Sequence, residues 1–210
     1  FAALTTQQAA ALTSVQTAHM ATDDLQALST TDVKVLTTDA LNGMGTTEMA
    51  AFTTAQAAAL GTNQIAGLTS TNLNALGTAN FAALTSTEVG AITTAQAAGI
   101  ASDDLAAINT VAIKSLSGAD IASLNSVQLN AMSTDQFAAL TSSQVGAITS
   151  TQAATMATDD LAAINTASIK SLSGADLANL NSTQFNAMTT AQFAALTTQQ
   201  AAALTSVQTA

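Results

Sequence analysis

Cysteine, proline, tryptophan and tyrosine are missing from this 210-residue chain, and only three residues are basic, all of them lysine. Each absence excludes something. Without cysteine there is no disulfide framework and no thiolate metal site, a composition that fits an oxidising exterior without requiring one. Three lysines against 13 acidic residues leave a net charge of −10. That excludes nucleic acid as a partner, because neutralising phosphates takes clustered cations, and it excludes attachment to an anionic membrane surface. No apolar run reaches the roughly 18 residues of a membrane span, so no membrane insertion is expected within this segment. Aromatic residues make up 3%, and the 48% hydrophobic fraction is heavily alanine, so a thick core of large side chains is not available. The chain begins without Met and without a signal-peptide pattern, so any targeting segment is expected outside it.

What the chain does contain is repetition. Its first eighteen residues, FAALTTQQAAALTSVQTA, recur letter for letter from Phe193 to the end. Leu4, Leu12, Met20, Leu28, Leu36, Met44, Phe52 and Leu60 fall eight apart, and the series runs unbroken to Leu204 with 26 members, all Leu, Ile, Met or Phe. With octads counted from Thr5, this series is position 8. Position 5 is apolar except at Thr17 and Thr209. Position 2 is Ser or Thr in 24 of 26 octads, and position 4 is Gln, Asp, Glu or Asn in 23 of 26. Positions 6 and 7 are mostly small, and the consensus reads T-T-x-Q-Φ-A-A-L. A longer period lies on top: Phe81, Phe137 and Phe193 begin related blocks 56 residues, or seven octads, apart. The expected organisation is one continuous array over residues 1–210, about 26 octapeptide repeats cut from a longer repeat region, because both ends fall inside an octad and carry no polar cap.

An eight-residue period restricts the fold. In one straight helix the apolar stripe would advance roughly 80° per octad and spiral around the axis. In a β-solenoid, positions 5 and 8 would point to opposite faces of a strand, and alanine at positions 6 and 7 is a poor strand former. Breaking the helix once per octad satisfies the pattern. Ser or Thr at position 1 or 2 is a strong N-cap, either position being able to serve. Where position 1 is Ala21, Ala101, Ala157, Gly45, Gly61 or Gly77, position 2 still carries a hydroxyl. Position 4 then falls in the first turn, where Gln, Asp or Glu closes a capping box. Positions 5 and 8 share one face, and Gly or Asn at position 1 suits a left-handed helix exit. The pattern predicts an all-α superhelical solenoid of short capped helices, one per octad, each too short to be stable alone and buried against its neighbours. The alternative is a β-solenoid.

Few residues are candidates for chemistry. The acidic pairs Asp23–Asp24, Asp103–Asp104 and Asp159–Asp160 lack the six to eight oxygen ligands of a calcium loop and read as first-turn carboxylates on helix dipoles. Each pair is followed by a lysine ten residues after its second Asp (Lys34, Lys114, Lys170), which suggests a salt bridge between neighbouring octads. His19 is the only histidine, so neither a metal cluster nor a triad is credible. The many hydroxyls have no base beside them, and Phe and Met at positions 5 and 8 read as core fillers. The expectation is therefore no catalytic, cofactor-binding or metal residues, no cofactor, and no enzymatic activity.

The phrases AALTTQQAAALTS, AALTSSQVGAITSTQ and GAITTAQAAG resemble the Thr/Ala/Gln/Leu tracts of giant repetitive bacterial surface and type-I-secreted proteins of the adhesin-like group. The resemblance covers the whole chain and carries no catalytic motif. It implies an extracellular or cell-surface location, with the array serving as stalk, spacer or filament and able to self-associate into filaments or lateral bundles. The alternative function is a surface-binding repeat module directed at carbohydrate, ice or a copy of itself.

Overall fold

The computed structural model describes residues 1 and 3–209 of the chain. Among these there are 24 α-helices, two 3₁₀ segments (Ala112–Ser115 and Ile169–Ser171) and no β-strand. The helices run from four to seven residues, as in Ser142–Val145 and Gly77–Ala83, and each octad contributes one helical element. The all-α solenoid expected from the octad pattern is the fold, and the β-solenoid is excluded.

In nearly every octad position 1 is the N-cap. Thr141 is representative: its extended backbone (φ −75, ψ 161) precedes the helix and its Oγ1 accepts the Gln144 N–H at 3.3 Å, while Gln144 Oε1 accepts the Thr141 N–H at 3.0 Å. This reciprocal capping box recurs along the array, with Asn125 and Asn181 capping through their side-chain oxygens. The expectation that position 2 substitutes when position 1 lacks a hydroxyl is overturned. Ala21, Gly45, Ala101 and Ala157 begin helices without any side-chain cap. The reason is positional: residue 2 is already the first helical residue, one place past the N-cap. In some capped octads its hydroxyl reaches the neighbouring coil. Thr94 Oγ1 donates to Asp120 at 2.7 Å and Ser150 Oγ to Asp176 at 2.8 Å, each across 26 residues.

The expected left-handed exits are also corrected. Among the described residues only Gly77 has positive φ, at 75°. Gly45, Gly61, Asn125 and Asn181 are extended N-caps. Many helices instead leave through an extended position 8, such as Leu116 (φ −60, ψ 135), which lets that side chain drop into the core while the backbone turns a corner.

Positions 5 and 8 build the core. Leu25 through Leu177 at position 5, and Met20 through Met188 at position 8, form one apolar column along the axis, with Phe81 and Phe137 fully buried as fillers. Thr17, the polar exception, is buried with its hydroxyl donating to the Ala40 carbonyl at 2.6 Å; the side chain of Thr209 lies outside what the structure describes. Small residues at positions 6 and 7 face the adjacent coil. A Cβ on Gly43 would lie 2.5 Å from the Ser14 carbonyl oxygen, and one on Gly67 the same distance from Thr38 Cγ2.

The pitch follows from which residues meet. Each helix packs against the third one along the chain, as Thr46–Ala50 does against Ser70–Ala75. Hydrogen bonds also reach the fourth, and those joining coils span 23 to 31 residues around a recurring separation of 28. A turn of 28 residues is three and a half octads. Octads therefore stack as residues do in an α-helix, with neighbours three and four along. The 56-residue block of the sequence is two such turns.

Candidate functional site

The repeated feature with the most chemistry is the column of position-4 side chains, which the sequence marks only as capping residues. Gln144 is 1% exposed. Its Oε1 faces its own helix start, accepting from Thr141 N and Oγ1. Its Nε2 points the other way and donates to the Ile113 and Leu116 carbonyls of the preceding coil, each at 2.8 Å. Those carbonyls belong to positions 5 and 8, the end of an earlier helix; the Ile113 carbonyl already accepts the Leu116 N–H at 3.2 Å, and the amide is a second donor to it. One planar amide thus satisfies the start of one helix and the end of another.

Eleven glutamines from Gln56 to Gln208 donate to the carbonyl 28 residues earlier. Ten of them also reach the carbonyl 31 residues earlier. At some positions without glutamine other donors fill in. Ser168 Oγ reaches the Leu140 carbonyl at 3.0 Å, and beside Ala112 the Asn109 amide reaches that of Leu84 at 3.1 Å. Among the described residues no buried side-chain polar atom is left without a partner. The signal that could have exposed this second role is the preference for the longer amide over Asp and Glu, since all of them can close a capping box.

A second amide device uses position 6. Asn42, Asn74 and Asn130 each donate to a carbonyl 25 residues ahead, at 2.7–2.9 Å. Their oxygens accept the N–H of Thr69, Ala101 and Ala157, 27 residues ahead, at 3.0–3.1 Å. The uncapped starts at Ala101 and Ala157 are thereby completed from the adjacent coil.

Asp103 and Asp159 are exposed, while Asp104 and Asp160 are buried at 5% exposure each. Burial, with the adjacent Asp103 carboxylate, raises the Asp104 pKa; burial and Asp159 push Asp160 up to about 6. Asp23 is exposed and Asp24 half-buried. The expected Asp–Lys bridges do not form: Lys34, Lys114 and Lys170 are exposed, and none pairs with a carboxylate among the described residues. Ten residues carry the chain more than a third of the way round a 28-residue turn, so aspartate and lysine face different sides. His19 is exposed. Among the described residues no three His, Cys, Asp or Glu side chains are grouped to hold a metal. The hollows between coils, such as the one bounded by Lys170, Ser173, Thr197 and Gln199, are open to solvent.

Capped octads, an apolar axial column and amide bridges between coils define the class: an α-helical solenoid of octapeptide repeats, a structural repeat protein. Within that class the chain belongs to the ALTTAQ repeat family, which it matches over residues 17–54, 97–133, 118–150 and 174–206, together more than half its length. No curated protein and no solved structure matches the chain. Among the described residues no helix is long and apolar enough to cross a membrane.

Proposed function

We propose that the array is a non-enzymatic spacer, the stalk or filament-forming part of a secreted or cell-surface protein of the adhesin-like kind. The observation that carries this reading is the position-4 column. The buried amides are engaged in joining one coil to the next, so the side chains that recur most regularly serve continuity of the rod. Position-1 hydroxyls are likewise engaged as caps, which favours a spacer over a module reading ice or carbohydrate through ranks of free hydroxyls. The useful property of a spacer is length, and length scales with the number of turns. At the usual 8–10 Å between packed helices, 210 residues at 28 per turn give a rod of roughly 60–75 Å.

Deleting residues 81–136 tests this. The cut removes two whole turns and joins Asn80 to Phe137 in octad phase. The product should fold, give a helical spectrum, and shorten by about 16–20 Å in solution scattering. A product that unfolds, or that keeps its length, would overturn the spacer reading.

A further inference from the structure

Three octads share one arrangement. Those beginning at Thr69, Ala101 and Ala157 have their first N–H satisfied from another coil, by Asn42, Asn74 and Asn130. Their own position-4 side chains, Asn72, Asp104 and Asp160, are thereby released from closing a capping box. Asn72 shows what a short side chain does when so released: its Nδ2 spans to the Leu41 and Met44 carbonyls, 31 and 28 residues earlier, at 3.2 and 3.3 Å. Asp160 has the same length and stands in the same register above Leu129 and Met132. Its carboxyl group makes no hydrogen bond or ion pair among the described residues; the residue is 5% exposed, and the oxygens keep some contact with solvent. No side-chain donor reaches the Met132 carbonyl either. By its register an ionised Asp160 would present only acceptor oxygens toward that carbonyl, where the eleven glutamines from Gln56 to Gln208 present an N–H.

We propose that Asp160 is a proton-operated clasp between successive coils: as the neutral acid it donates its O–H to the Met132 carbonyl in the manner of the Asn72 amide, and on losing that proton it opens. The charged groups on the elements around it are all acidic. Asp159 lies beside it and Asp135 is on the packed helix Thr134–Ala139, while Ser182–Ala187 carries no charge. No cation opposes protonation. The raised pKa of about 6, due first to burial and then to Asp159, puts the transition in a mildly acidic range. The sign is fixed by linkage. The folded carboxyl holds its proton more tightly than the unfolded one, so the contribution is complete below about pH 4 and lost as pH rises through about 6. Asp104, two turns earlier, is a weaker copy, because the Leu76 carbonyl below it already receives the Asn80 amide at 2.9 Å.

The test is thermal unfolding of the whole chain between pH 4.5 and 7.5 for the parent, Asp160→Asn and Asp159→Asn, with the Asp160 carboxyl carbon followed by NMR. The parent should lose a few degrees of Tm as pH rises. Asp160→Asn should lose less, matching the parent at pH 4.5 and exceeding it at pH 7.5. Asp159→Asn, which removes an equal charge without supplying a donor, should keep most of the fall. The Asp160 resonance should titrate near pH 6. An Asp160→Asn chain that melts below the parent at pH 7.5 would overturn the clasp, as would one with an unchanged pH slope. So would a calcium or potassium salt that raises the parent's Tm at pH 7.5 in a saturable way but leaves Asp160→Asn unmoved, since the oxygens would then be holding a metal ion.

Discussion

A glutamine at position 4 carries an acceptor and two donors on one rigid plane, and the array uses both ends. Glutamate keeps the acceptor and loses the donors, which makes Gln144→Glu a clean probe. It can still close the capping box with Thr141, as Glu88 does with Thr85, yet it leaves the Leu116 carbonyl without its side-chain donor and the Ile113 carbonyl with the Leu116 N–H alone. We expect a loss of about 1–3 kcal/mol, the usual range for a buried polar group deprived of its partner, measured by urea unfolding at neutral pH. Removing only the cap, as in Thr141→Ala, should cost about 1 kcal/mol. The glycines make a second residue-scale contrast. Gly43→Ala drives a methyl against the Ser14 backbone at 2.5 Å and should lower the melting temperature. Gly99→Ala places it 3.5 Å from Ser70 Cβ, an ordinary contact, and should be tolerated.

Single elements here are too short to hold themselves together. A helix of four to seven residues does not repay its nucleation cost in water, so its stability comes from burying positions 5 and 8 against helices three and four octads away. Leu116→Ala, at a side chain 2% exposed, should cost about 2–5 kcal/mol. Its effect on amide exchange should concentrate in octads 24 to 32 residues away on either side, because those are the ones in contact. At this scale the sequence is most legible. One helix per octad, a Ser or Thr cap, a capping box with position 4 and an apolar face at positions 5 and 8 all follow from rules acting within four residues. What escaped the sequence is non-local. Nothing near Gln144 indicates that its amide reaches carbonyls 28 and 31 residues back, and the Asp–Lys spacing suggested pairs only because the turn length was unknown. The position-2 fallback failed because that residue already lies inside the helix, one place past the N-cap.

For the whole molecule, seven octads is a special length. A deletion of three or four octads keeps the octad phase and the stacking three and four along, but turns everything beyond the joint by about half an octad around the axis from its place in the parent. A deletion of 28 residues keeps the turn but breaks the octad. Fifty-six residues is the shortest piece that preserves both, since two turns of 28 equal seven octads, which gives the block period of the sequence a geometric basis. A 52-residue deletion should therefore destabilise the joint by the order of a buried unsatisfied polar group, about 1–3 kcal/mol, where the 56-residue deletion does not. Unfolding midpoints of the two products in urea would show the difference.

Everything at this scale rests on the 28-residue turn, and the lack of cysteine allows that turn to be read directly. Gly99 and Ser70 sit at positions 7 and 2 of adjacent coils, and a Cβ on Gly99 falls 3.5 Å from Ser70 Cβ, at the close end of the range a disulfide accepts. The measurement is disulfide formation under mild oxidation in the pair Gly99→Cys with Ser70→Cys, beside two pairs displaced by one octad, Gly99→Cys with Thr62→Cys and Gly99→Cys with Thr78→Cys. A 28-residue turn gives rapid, near-complete cross-linking in the first pair and little in the other two. Preferential cross-linking to Cys at position 62 or 78 would contradict the turn length and, with it, the bridging role of the glutamine column.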